Sequence, residues 1–184
     1  MDLTIRQYSE KDYDRVREIC TATAPPVLQK KRDLLLALYC DYYIEQEPDN
    51  CFMLADENDC VVGYVLIAEN EQKYRQIYTA EYLPKVKKYS PLLWLVKKGA
   101  LKKEDPKFLP FPAHLHIDIL PEYQDKGLGA KLLDAAFAHL KSKKVPSIML
   151  GVSTANKKAV RFYERYGFKP LVQKGGVLYV GLTL

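Results

Sequence analysis

Two periods of hydrophobic and polar positions run through this chain. Near its start and over 113–120, apolar and polar residues alternate, the period of a strand. Elsewhere apolar residues recur every three to four positions, the period of a helix. On this pattern, strands are expected over 2–7, 51–56, 61–69, 113–120, 147–152, 168–173 and 177–184. Helices are expected over 10–21, 27–46, 128–142 and 156–166. Ser9 opens the first of them, with Asp12 at the capping-box position. Pro25-Pro26 separates it from the second, in which Leu34, Leu35, Leu38, Tyr42 and Ile44 are apolar. In the last helix Ala159, Phe162, Tyr163 and Tyr166 recur at helical spacing, and Gly167 stands where a helix end favours a left-handed residue. Glu57-Asn58-Asp59 and Gly175-Gly176 read as hairpin turns. This order predicts an α/β (α+β) domain: a mixed, mostly antiparallel sheet of six to seven strands flanked by helices.

Residues 70–112 are too many for an ordinary connection. Tyr74, Tyr78, Tyr82, Leu83, Trp94 and Leu95 argue against a disordered linker, so a helical insertion is expected. Its many lysines, Lys85, Lys87, Lys88, Lys97, Lys98, Lys102 and Lys103 among them, predict a basic outer face. Such a face is either solvated surface or a rim that attracts an anionic substrate or phosphates.

Composition narrows the picture. With 184 residues and 48% hydrophobic content, the chain supports one core, and 1–184 is read as a single domain. It holds no apolar run of about 18 residues, so no membrane span is expected. The first residues alternate like a strand and do not resemble a signal peptide. Cys20, Cys40, Cys51 and Cys60 form no Cys-x-x-Cys pair and read as reduced, buried or half-buried thiols, as in a cytoplasmic protein. A net charge of +5 is modest, and no nucleic-acid motif or basic tail accompanies it, so nucleic acid is not an expected partner. The sequence does not fix the oligomeric state.

The chemistry concentrates at 117–130. An alternating strand runs into Gln124-x-x-Gly127-x-Gly129-Ala130, and an amphipathic helix follows. Glycines let backbone approach a ligand, and a helix N-terminus offers free N–H groups and positive potential, the requirements of a phosphate site. The third glycine of a dinucleotide loop and the Lys-Ser/Thr of a P-loop are both missing. A second motif follows the strand at 147–152: Asn156-x-x-Ala159-x-x-Phe162-Tyr163-x-x-x-Gly167-Phe168.

Together the two motifs resemble those of the GNAT N-acetyltransferase superfamily. Over most of its length the chain is also similar to the acetyltransferase-like domain of O-GlcNAc hydrolases and its stand-alone bacterial relatives. That likeness rests on 41–45, 63–66, the insertion and 111–119. The resemblance implies a GNAT fold and acetyl-CoA as acetyl donor. It implies that Asp125, Lys126, Gly127, Leu128, Gly129 and Ala130, with Gln124, hold the pyrophosphate. The pantetheine arm is then expected along Ile117, Asp118 and Ile119 and against Asn156. Tyr163 matches the tyrosine that faces the thioester sulfur and acts as general acid.

An amine acceptor, small molecule or protein, is protonated near neutral pH and must lose that proton before attack. Some relatives carry a glutamate where this chain has Gly151. The strand instead presents His114, His116 and Asp118 on one face, and His116 or Asp118 is expected to relay the proton, with His114 structural. His114-x-His116-x-Asp118 also has metal-ligand spacing, but only His139 remains as a further histidine, and no metal is expected. The implied activity is acetyl-CoA-dependent N-acetyltransfer. The alternative is a non-catalytic acetyl-CoA-binding module, since coenzyme binding does not itself supply an amine pocket or a base.

Overall fold

The computed structural model describes residues 3–103 and 105–184. Seven strands form one sheet in the order β1-β2-β3-β4-β5-β7-β6. They are β1 (Thr4–Gln7), β2 (Phe52–Ala55), β3 (Val61–Ala68), β4 (Ala113–Ile119), β5 (Ser147–Ser153), β6 (Lys169–Lys174) and β7 (Val177–Thr183). Only β4 and β5 run parallel; every other neighbouring pair is antiparallel. Residue 2 of the expected first strand lies outside the described residues.

Helices cover both faces. On one lie α1 (Tyr13–Thr23), α2 (Pro26–Gln29), α3 (Arg32–Tyr39), α4 (Asp41–Gln46), α5 (Glu71–Ile77), α6 (Leu83–Tyr89) and α7 (Pro91–Lys102). On the other lie α8 (Leu128–Ser142) and α9 (Lys157–Tyr166). The strand alternation of β4 divides its side chains between the layers: Leu115, Ile117 and Ile119 pack against the α8 and α9 side.

Two expected helices differ in detail. The first begins as a tight turn over Glu10–Asp12, where the Ser9 N–H donates to the Asp12 carboxylate at 2.9 Å, and continues as α1 to Thr23. The helix expected over 27–46 is three helices. Lys30-Lys31 separates α2 from α3, and Cys40, at φ −131°, separates α3 from α4. The second break has a physical reason. Leu34–Leu38 and Asp41–Ile44 are buried runs, and a straight helix cannot turn every side of both halves toward one sheet.

The 70–112 segment is helical, as expected. Tyr74, Tyr78 and Tyr82 recur four residues apart through α5 and one π-helical turn (Tyr78–Tyr82), with successive ring centroids 5.0 and 5.7 Å apart. Several residues depart from the basic-outside pattern, Leu92 and Val96 among them. Leu95 is 60% exposed. Lys97 turns inward, its ammonium over the rings of Tyr39 and Tyr78 at 5.8 and 5.9 Å.

Candidate active site

The parallel pair in the sheet is short. β4 meets β5 only at Ala113↔Ile148 and His114↔Met149, whereas β5 stays with β7 as far as Ser153↔Val177. From Leu115 onward the two strands part, and the β4 edge toward β5 has no ladder partner. The fork opens toward the C-terminal end of β4, where a tight turn over Pro121–Tyr123 leads into α8. A parted parallel pair accepts an extended, amide-rich chain as an added strand.

The turn at the mouth of the fork is built to expose its backbone. Asp125 and Gly127 both adopt positive φ, 63° and 72°. Gly127 is the N-cap of α8 and supplies no capping side chain. Among the described residues, none of the backbone N–H groups of Asp125, Lys126, Gly127, Leu128, Gly129 and Ala130 finds a protein acceptor. Successive free N–H groups at a helix N-terminus form an anion-binding concavity. The flanking side chains brace this turn. The Gln124 amide donates to the Ile119 carbonyl at 2.8 Å, Lys126 donates to the Glu122 carbonyl at 2.9 Å, and Lys158 pairs with Asp125 at 2.7 Å. The two glycines serve different ends. A Cβ at 127 would meet open space, but a Cβ at 129 would lie 3.1 Å from the Phe162 ring, so Gly129 also lets α8 close against α9.

Asn156 caps α9, its side-chain oxygen accepting from the Ala159 N–H at 3.0 Å, which leaves its amide group to face outward. Tyr163, on α9, is buried and makes no recorded hydrogen bond through its hydroxyl, yet that oxygen is not sealed. Burial, and then the charge of Asp118, push its phenol well above the ordinary value. Asp118 on β4 is near enough for its charge to be felt at Tyr163 on α9.

His114, His116 and Asp118 share the α1–α7 face of β4. Asp118 accepts from the Tyr64 hydroxyl at 2.6 Å, the two residues being paired across β3 and β4. Burial pushes the Asp118 carboxyl up to about 6, against the pull of the Tyr64 hydrogen bond and the nearby Thr23 hydroxyl. His116 stands edge-on to Tyr39, centroids 5.0 Å apart, and burial with help from His114 and Lys97 pushes it down to about 4, so it is neutral at pH 7. His114 is drawn elsewhere: its Nδ1 lies 2.8 Å from Glu71, though off the axis of a straight hydrogen bond. Burial alone would raise the Glu71 carboxyl, but His114 and Arg75 hold it below its usual range. His139 is on α8, 3.0 Å from Asn50, in the opposite layer.

The site therefore brings together an anion-binding turn, an edge for an extended chain, a phenol that keeps its proton and a carboxylate that titrates near neutrality. Tyr64, Tyr39, Lys97 and Lys158 complete it, and sequence reasoning did not single them out for it. Tyr64 and Tyr39 lie in apolar runs that read as core, and the two lysines are indistinguishable by pattern from solvated ones.

The family model described as acetyltransferase (GNAT) family matches residues 13–168. Mycothiol acetyltransferases of Propionibacterium freudenreichii subsp. shermanii and Thermobispora bispora are each 44% identical, over 48 and 52 residues. Those stretches are 26% and 28% of this chain but only 15% and 18% of the two relatives, so the match spans less than a fifth of their length. Among solved structures, SsHAT superposes with a TM-score of 0.87 at 28% identity, covering 100% of this chain and 98% of that one. PaiA N-acetyltransferase from Thermoplasma acidophilum, in complex with coenzyme A, gives 0.62 at 16% identity over 100% of both chains, a likeness of fold.

Proposed function

The chain belongs to the acetyltransferase (GNAT) family, and we propose that it moves an acetyl group from acetyl-CoA directly to the nitrogen of an amine acceptor. The observation that carries this reading is the fork between β4 and β5, with six free N–H groups at its mouth and Asp118 and Tyr163 on its two sides. The residues present fit the donor. The turn over Asp125–Ala130 holds the pyrophosphate, Lys158 adds charge beside it, and the free β4 edge over 117–119 takes the pantetheine amides. Acetyl-CoA, when bound, supplies the thioester.

Asp118 accepts a proton from the acceptor's ammonium, directly or through water, and frees the nitrogen lone pair for attack on the thioester carbonyl. A carboxyl titrating near 6 is ionised at pH 7 yet basic enough to hold that proton in passing. His116, neutral and one pleat pair deeper, orients the relay and is the weaker base. As the carbon–sulfur bond breaks, Tyr163 donates its phenolic proton to the leaving sulfur and recovers one from protonated Asp118. The acceptor's ammonium gives up two protons in all: one reaches the thiol by way of Asp118 and Tyr163, and the second leaves the tetrahedral nitrogen for solvent as the amide forms.

The test is a screen of primary amines with acetyl-CoA, reading release of free thiol. Acetylation of at least one amine supports the reading. Bound acetyl-CoA with no thiol release from any amine class would make the protein a coenzyme-binding module instead.

A further inference from the structure

Lys97 is the one residue of the insertion's lysine series that turns toward the β4 face. Its ammonium sits over the rings of Tyr39 and Tyr78, and Tyr39 in turn packs edge-on to His116. Burial pulls its pKa below the ordinary lysine value. No carboxylate pairs with it among the described residues. Glu71 is near enough to be felt, but its oxygens are taken by Arg75 at 2.7 Å and His114 at 2.8 Å. A desolvated cation without a counter-ion is costly, and two tyrosine faces offset only part of that cost. Tyr179 of β7 is near enough to be felt at Tyr39, and Phe108 packs on Tyr179 with centroids 4.9 Å apart. Lys97, Tyr39, His116 and Tyr179 are all half-buried. Lys97, Tyr39 and His116 form a half-buried cluster on the face of the sheet opposite α8 and α9, in which the ammonium has no paired carboxylate among the described residues.

We propose that this cluster borders the acceptor's place, and that Lys97 is its specificity residue, selecting a primary amine that also carries an anionic group, carboxylate or phosphate. The inference rests on the acetyl-transfer reading above and names its acceptor class. Lys97 binds the anion while the amine end lies toward His116 and Asp118. It is a binding residue and takes no part in proton transfer.

The experiment compares matched acceptors: 4-aminobutyrate with butylamine, and phosphoethanolamine with ethanolamine, in the parent, Lys97→Met and Lys97→Arg. The parent is expected to favour at least one anionic member by about tenfold or more in kcat/KM, equivalent to ~1.4 kcal/mol. In Lys97→Met that ratio collapses, through KM for the anionic member, and Lys97→Arg restores part of it. A ratio that survives in Lys97→Met overturns the proposal, as does an equal loss for both members of each pair, which marks a packing role. Mass spectrometry finding the acetyl group on Lys97 itself overturns it too. If no acceptor turns over, the acetyl-transfer reading fails separately. The anion site is then judged by calorimetry of 4-aminobutyrate and phosphoethanolamine with CoA-loaded protein. Heat lost in Lys97→Met supports the anion site, and no Lys97-dependent heat refutes it.

Discussion

Asp118→Asn should make the protein more stable and less active, and both effects follow from one carboxylate. Burial raises this group from 3.8 to about 6. Its folded-state pKa lies above the unfolded one, so between about pH 4 and 6 the folded state holds the proton more tightly. Stability from this group is full at the acid end and is lost as pH rises through 6. A rise of about two units costs ~3 kcal/mol at pH 8, at 1.36 kcal/mol per unit. Asparagine keeps an oxygen for the Tyr64 hydroxyl and carries no charge to desolvate. Thermal melts should therefore show Asp118→Asn above the parent by at most about 6–12 °C at pH 8, on 2–4 °C per kcal/mol for a chain of this size. The two curves should converge near pH 4. Over the same range the parent's kcat/KM rises through an apparent pKa of about 6, and the variant lacks that limb and turns over about 10²–10⁴-fold more slowly, the usual share of a general base. An Asn variant less stable than the parent at pH 8 would show that Asp118 is a structural anchor. An Asn variant that keeps the limb near 6 would assign the base elsewhere.

Tyr163→Phe removes only the hydroxyl, which has no recorded partner to lose. It should lower kcat by about 10²–10⁴-fold with acetyl-CoA affinity close to the parent's, and equal turnover would return Tyr163 to the core. Gly127→Glu meets no atom but places a side chain at φ 72° and a carboxylate at the free N–H groups. It should cost roughly 1–2 kcal/mol of stability and weaken acetyl-CoA binding in calorimetry, and a folded variant with parental affinity would remove this turn from the site. Of the four cysteines, Cys20, Cys40 and Cys51 are buried and Cys60 is exposed, so a thiol reagent should label Cys60 rapidly in the native protein and the other three only on unfolding. Prompt labelling of a second thiol would show that the α1–α3 layer opens.

The elements near the site were legible in the sequence to within a residue or two, because each was marked by more than one local signal. α8 begins after Gly127, at φ 72°, and ends at Ser142, as its apolar period predicts. β4 was marked by strict alternation, and that alternation also put His114, His116 and Asp118 on one face. The 27–46 helix was not legible as three pieces, since its breaks answer to burial on several sides, and no periodicity encodes a tertiary surface. The inward turn of Lys97 was hidden for the same reason. Lys97 and Lys98 are neighbours in a lysine-rich helix, and only the packing of α7 against Tyr39 and Tyr78 tells them apart. Gly129 shows a subtler gap. The motif gave one reason for a glycine there, and the 3.1 Å approach of Phe162 adds a second, so Gly129→Glu would test helix packing as much as coenzyme approach.

The two titrating groups at the fork are set against each other by the same field. The Asp118 charge is one cause of the raised Tyr163 phenol, so while Asp118 is ionised Tyr163 resists giving up its proton. A proton taken from the acceptor by Asp118 removes that charge, and the phenol becomes a stronger acid when a thiolate begins to form. On the proposed mechanism the base step thereby eases the acid step. Burial, the larger cause of the raised phenol, stays in place, so this relief is partial. It also makes the two substitutions non-additive. Once Asp118 is gone, the phenol has neither its electrostatic restraint nor its proton source, so adding Tyr163→Phe to Asp118→Asn should cost less than it costs alone. Independent roles would make the two losses multiply.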